Sequence, residues 1–156
     1  TQEKLDVCRA LGADIGVNYD DEDFVGVLKA AGGADVILDI IGGRYLEGNV
    51  AALKTGGRLV IIGMQGGAKG TLNIGALLAK RASVTGTTLR SRPTDGPGGK
   101  VEVVAATANL VLPLLADGTV KPVVDSTFPL ADAAAAHARL DSGDAIGKVP
   151  LIVDEE

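Results

Sequence analysis

Lys4 stands three residues after Thr1 at the head of "TQEKLDVCRALG", a spacing that can make an anion site. Thr1 suits a helix N-cap, which puts Lys4 near the third helical position, where a capping box would carry Glu or Gln. A cation there opposes the helix dipole, at a cost of roughly 0.3–1 kcal/mol. Backbone N–H groups and an ammonium can together hold a phosphate, and a 2′-phosphate would fit. The spacing equally allows a solvated surface lysine. A second candidate is "GRLVIIGMQGG" from Gly57, an apolar run that enters glycines as a nucleotide-binding turn does. Gly63, Gly66, Gly67 and Gly70 fit neither G-x-G-x-x-G nor G-x-x-x-x-G-K-[ST], so this is no phosphate fingerprint.

Other chemistry-bearing residues are scattered. Tyr19 can flank an adenosine or simply end a strand, and the acids from Asp20 to Asp23 read as a solvated helix start. Asp39, inside an apolar run, is expected to bond neighbouring backbone. His137, the single histidine, sits on an alanine-rich helix and reads as structural. Cys8, the single cysteine, excludes an internal disulfide and a multi-cysteine zinc site, and is expected to be a small buried apolar residue. With no Ser/His/Asp grouping, metal-ligand cluster or paired carboxylates, the chain holds no self-contained catalytic constellation.

The elements that would position these residues follow from periodicity. Strand-like runs recur at residues 15–19 ("IGVNY"), 34–41 ("ADVILDII"), 58–63 ("RLVIIG") and 83–89 ("SVTGTTL"). The second and third are almost continuously apolar, as in parallel strands covered on both faces. Helical patterns lie between them and end at Gly12, at Gly32-Gly33 and at Gly56-Gly57. Such alternation predicts a doubly wound α/β sheet. "SRPTDGPGGK" at 91–100 is a Pro/Gly-rich boundary, giving segments 1–92 and 93–156. Beyond it the pattern predicts a helix over 101–116, a strand in "KPVVDSTF", a helix in "ADAAAAHARLDSG" and a last strand in "GKVPLIV". In an open parallel sheet ligands sit beyond the carboxyl ends of strands, here Asn18-Tyr19, Ile41-Gly42-Gly43, the 63–66 turn and Thr88-Leu89-Arg90. Glycine at these ends either closes a strand or admits a ligand against backbone.

Composition narrows the classes. With 156 residues, 46% apolar, the chain can build a core of about one domain. A net charge of −5 and 3% aromatic content argue against a nucleic-acid surface. No apolar run approaches the roughly 18 residues of a membrane span, and no signal-peptide pattern opens the sequence, so the expected location is cytoplasmic.

The blocks "TQEKLDVCRALGAD", "GVNYDDEDF", "DVILDIIGG", "LKTGGRLVIIGMQGG", "LLAKRASVTGTTLRSR" and "FPLADAAAAHARLDSGDAIGKVPLIV" resemble, in order and spacing, the medium-chain dehydrogenase/reductase superfamily. The nearest branch is the zinc-independent, zeta-crystallin-like NADPH:quinone oxidoreductases, and the fifth block is most like their p53-inducible subgroup. That family is about twice as long, so the resemblance implies a C-terminal half. It would comprise part of a Rossmann-type sheet lacking its first strands, plus elements returning to the catalytic domain. It also implies that the fragment is inactive alone. Carried over residue by residue, Lys4 matches the contact to the 2′-phosphate of NADPH, and Tyr19 flanks that end of the cofactor. Ile41 and Gly42 pass the adenosine ribose. Gly63, Met64, Gln65 and Gly66 line the nicotinamide half, and Thr88, Leu89 and Arg90 close around the nicotinamide. A serine that some relatives carry after the strand aspartate is Ile40 here, so that contact is not carried over. The resemblance implies no metal site in this chain, a quinone or α,β-unsaturated carbonyl substrate, and a homodimer through residues 83–89. Two other classes remain: a methyltransferase using S-adenosylmethionine, since "LKTGGRLVIIG" also suits a late strand of that fold, and a non-catalytic binding relative. The tail blocks fit the reductase.

Overall fold

In the computed structural model, which describes residues 1–153, the chain divides into two compact units, Thr1–Arg92 and a second starting at Pro93. The last three residues of the segment expected at 93–156 lie outside the described residues.

The first unit opens with α1 (Gln2–Ala10), where the Thr1 hydroxyl accepts the Lys4 N–H at 3.5 Å, as an N-cap should. Gly12 follows the helix at φ +104. Cys8 is exposed, which corrects the expectation of burial. The helix packs through half-buried Leu5 and Val7, with Leu5 and Arg9 over Gly16, and turns Cys8 to solvent. Residues 15–19, expected as a strand, are not one. A ladder needs a neighbour, and the first strand of the sheet pairs only with the second. Asp23, last of the acidic run, caps α2 (Phe24–Ala30) by accepting the N–H groups of Val25 and Gly26 at 3.0 and 3.1 Å.

Next come β1 (Ala34–Asp39), α3 (Leu46–Ala52), β2 (Leu53–Ile61), α4 (Ile74–Lys80) and β3 (Ser83–Gly86). They form a parallel sheet in the order β1-β2-β3, with Ile37 beside Leu59 and Leu59 beside Val84. β2 begins earlier than its apolar run, because Leu53 already pairs with Ala34 before residues 54–57 bulge out. α4 was not signalled by the pattern; Asn73 caps it through the Ala76 N–H at 2.9 Å, and Arg81 closes it at φ 49. Val50, Leu53 and Leu59 are fully buried between sheet and helices, each contributing about 1.5–3 kcal/mol. The opposite sheet face carries Val36 and Leu38, 51% and 66% exposed. Helices of this unit therefore cover one face, where the apolar runs predict cover on both.

The second unit holds α5 (Lys100–Ala116), β4 (Phe128–Pro129), α6 (Ala133–Asp141) and β5 (Leu151–Ile152), with β4 and β5 parallel. The expected strands shrink to these pairs plus a bridge between Val124 and Lys148. His137 is exposed on α6. Asp125 ties the unit together. It accepts two bonds from the Arg139 guanidinium at 2.8 and 2.7 Å, one from the Ile146 N–H at 2.9 Å and one from the Ser126 hydroxyl at 2.8 Å. Arg139 first, then Ile146 and Ser126, hold its carboxyl well below the usual range. An unfolded aspartate titrates near about pH 3.9, so below that the unfolded chain binds a proton that the folded one excludes. The stabilisation is complete above about pH 4 and is lost as pH falls through the folded value. Asp125→Asn is expected to lower the melting midpoint at neutral pH and to flatten its decline below about pH 4. Thermal melts across pH check both effects. No helix of the described residues is long and apolar enough to cross a membrane.

Candidate functional site

Parallel strands send their carboxyl ends to one edge, here Asp39, Ile61 and Gly86. Asp39 is 4% exposed and accepts the N–H of Ile41 at 2.8 Å on one carboxylate oxygen and that of Gly42 at 2.9 Å on the other. The backbone-bonding role expected for it is what it performs. These bonds bend the chain into a tight turn in which Gly42 takes φ 78, ψ −128, a conformation that side-chain-bearing residues rarely adopt.

After β2 the chain runs back along that turn. The Gln65 N–H donates to the Ile40 carbonyl at 3.1 Å and the Gly66 N–H to the Ile41 carbonyl at 2.7 Å. The Gly43 N–H in turn donates to the Gly67 carbonyl at 2.8 Å. Backbones this close exclude side chains. A Cβ at Gly63 would lie 2.7 Å from the Ile40 oxygen, and one at Gly66 would lie 2.5 Å from Ile41 Cγ2. The glycines of "GMQGG" thus lace two strand-end turns together.

Gly86 differs, with nothing within 4 Å of where its Cβ would stand. Beside it opens a cleft of ≈ 640 Å³, within the range of small-molecule sites. Leu46, Ile61, Ile62 and Met64 give it an apolar wall, Gly42 and half-buried Gly63 also line it, and Thr87 and Thr88 add hydroxyls. Arg92 is the one charged side chain lining it. Its guanidinium donates to Thr87 Oγ1 at 3.1 Å, and its N–H donates to the Leu89 carbonyl at 3.1 Å.

Of the residues expected at a ligand, Gly42, Gly63, Met64 and Thr88 line this cleft. Ile41, Gln65 and Gly66 stand behind it in the laced turns. Leu89 and Arg90 are exposed outside the lining, as is Tyr19 at 71% exposure, and Lys4, on α1, does not line the cleft. Gly86, Thr87 and Arg92, which were not among the expected residues, also line it. "TTLRSR" places two arginines at a spacing of two, so the motif signalled a cation there. Which arginine reaches the cleft is decided by the turn at 89–92.

A sequence model of the zinc-binding dehydrogenase family matches residues 11–151. The chain belongs to the zinc-binding dehydrogenase family. This dehydrogenase chain is 31% identical over 137 residues to the quinone oxidoreductase of Mus musculus, covering 87% of itself and 39% of that protein. It is 28% identical over 161 residues to the 2-haloacrylate reductase of a Burkholderia species, covering 97% of itself and 46% of that protein. The crystal structure of an NAD-dependent alcohol dehydrogenase matches with a TM-score of 0.75 and 31% identity, over 97% of this chain and 42% of that one. The chain therefore spans about two-fifths of the length of the curated relatives it matches, which agrees with the quinone-oxidoreductase resemblance of its motifs. Nothing in these likenesses favours the methyltransferase reading. Among the described residues no group of three or more His, Cys, Asp or Glu is placed to hold a metal ion, so they supply no donor set for the zinc of the family's name.

Proposed function

We propose that this dehydrogenase chain forms the cofactor side of a zinc-independent, NADPH-dependent reductase of quinones or related α,β-unsaturated carbonyls. The observation that carries the reading is the cleft at the carboxyl ends of β1, β2 and β3, lined by Gly42, Gly63 and Gly86, with open space where a Gly86 side chain would stand. When bound, the cofactor supplies a hydride. The chain holds it, orients it and keeps water from it, which is why no acid–base pair is needed in the lining. The open space at Gly86 lets a ring lie close, and the Thr88 hydroxyl is a hydrogen-bonding group at the same end. Relatives named for reducing a quinone and a haloacrylate support the substrate class. The wall that selects the substrate belongs to the remaining length that those relatives have. Lys4 would meet the 2′-phosphate and Tyr19 the adenosine, both outside the cleft proper. The setting is cytoplasmic, with a second copy along the free edge of β3.

Titration of the 156-residue chain with NADPH and NADH, followed by dihydronicotinamide fluorescence, tests this reading. Both are expected to bind, and Lys4→Ala to weaken NADPH about tenfold more than NADH, the worth of one charge-assisted hydrogen bond. Equal weakening of the two would remove the phosphate assignment. Failure of the unsubstituted chain to bind either would remove the cofactor reading.

A further inference from the structure

We propose that Met64 is an oxidation site through which a hydroperoxide loosens the cleft's hold on its nicotinamide; this rests on the cleft being the cofactor site. Met64 is the single methionine of the chain. It is 67% exposed, yet it forms the apolar wall of the cleft together with Leu46, Ile61 and Ile62. A thioether so placed is open to a dissolved oxidant while the cleft is empty and covered once a ligand lies against the wall. The backbone that carries it is fixed. The Gly67 N–H donates to the Met64 carbonyl at 3.0 Å, and a Cβ at Gly42 would lie 3.0 Å from Met64 Cα. The next residues, Gln65 and Gly66, are bonded to Ile40 and Ile41 at 3.1 and 2.7 Å. The turn therefore cannot carry an altered side chain out of the cleft.

The chemistry balances with the hydroperoxide alone. A lone pair on Met64 Sδ attacks one peroxide oxygen, and the O–O bond breaks as the S–O bond forms. The proton of the attacked oxygen passes to the departing oxygen, which leaves as water or an alcohol. Sulfur gives up a pair of electrons and the peroxide takes them. A flexible apolar side chain becomes a polar sulfoxide, and reductases specific for each sulfoxide epimer can reverse the change. A ring docking on that wall must then strip water from the sulfoxide oxygen, a penalty the thioether does not carry.

The test uses the 156-residue chain carrying Cys8→Ser, because Cys8 is exposed on α1 and would consume the same oxidant. The protein is treated with hydrogen peroxide, freed of it, and titrated with NADPH and NADH by dihydronicotinamide fluorescence. Peptide mass spectrometry is expected to find one added oxygen on Met64, and both cofactors to bind about tenfold more weakly at an unchanged melting midpoint. Incubation with the two methionine sulfoxide reductases and a thiol should restore the affinity. Saturating NADP+ during the peroxide treatment should slow oxidation of Met64. In Met64→Leu, whatever its starting affinity, peroxide should change nothing. Undiminished affinity with Met64 fully oxidised overturns the inference, as does an equal peroxide loss in Met64→Leu or oxidation at the same rate under NADP+. In each of those cases binding by the untreated chain leaves the cofactor reading standing. An untreated chain that binds neither cofactor removes that reading and this inference with it.

Discussion

Asp39→Ala is expected to destabilise the Thr1–Arg92 unit by about 2–4 kcal/mol, seen as a lower urea midpoint at unchanged slope. Each carboxylate oxygen of Asp39 serves one backbone donor, and the side chain is nearly inaccessible. Alanine leaves two N–H groups without an acceptor, at about 1–3 kcal/mol for each one that water cannot reach. Gly42 is buried and should bear the full penalty, whereas half-buried Ile41 can turn partly to solvent, which sets the range below the simple doubled figure. Asp39→Asn is the informative companion. It keeps one acceptor oxygen but aims an amide NH2 at the second donor, so an intermediate loss is expected. A wild-type midpoint for Asp39→Ala would mean that the turn is held by the lacing from Gln65 and Gly66 alone. Because Gly42 also lines the cleft, the same substitution should weaken nicotinamide binding, an effect inseparable from its effect on folding.

What could be read in the sequence was local, and what could not was tertiary. Thr1 as a cap, the stop at Gly12 and the long α5 follow from side-chain capping and from apolar pattern within a few turns, and the structure has them. Asp39 could be assigned to backbone because a carboxylate inside an apolar strand has few other partners. The 15–19 run failed because β-propensity describes fitness for a pleated surface and does not provide the neighbouring strand. α4 escaped notice because "NIGALLAKR" is short and interrupted by Gly75, so its start depends on the Asn73 cap. At the site, glycine marks the strand ends, and the cleft opens at that edge. Sequence could not divide those glycines by job. Gly63 and Gly66 admit a neighbouring turn, and Gly86 admits nothing visible, a difference carried by residues far along the chain. Which of Arg90 and Arg92 lines the cleft was hidden for the same reason, since a turn at 89–92 reverses the alternation that a continuing strand would keep.

Gly86→Leu is expected to weaken nicotinamide binding on the order of thirtyfold without harming the fold. The carboxyl-end position of Gly86 puts it in register with Ile61, whose side chain reaches the buried cluster, so a new side chain at 86 would rise on the cleft's own side. No atom stands within 4 Å of its Cβ position, and its φ is outside the left-handed region. Leucine should therefore enter without strain, and replacing glycine in a strand end is neutral to mildly stabilising. What it displaces is the occupant. Forcing a ligand and a leucine into one space costs about 1–3 kcal/mol or more, a weakening on the order of thirtyfold for NADPH and NADH alike. The melting midpoint should stay at the wild-type value. Gly63→Ala supplies the opposite signature: its single methyl meets the Ile40 carbonyl oxygen at 2.7 Å, so stability should fall even though far less volume is added. If Gly86→Leu binds both cofactors as wild type does, the cleft beside β3 is not where the nicotinamide lies, whatever Lys4 does. If it melts early, the open space over Gly86 is filled by motion that backbone geometry does not reveal. Affinity lost at constant midpoint is the outcome that ties the end of this sheet to a bound nicotinamide.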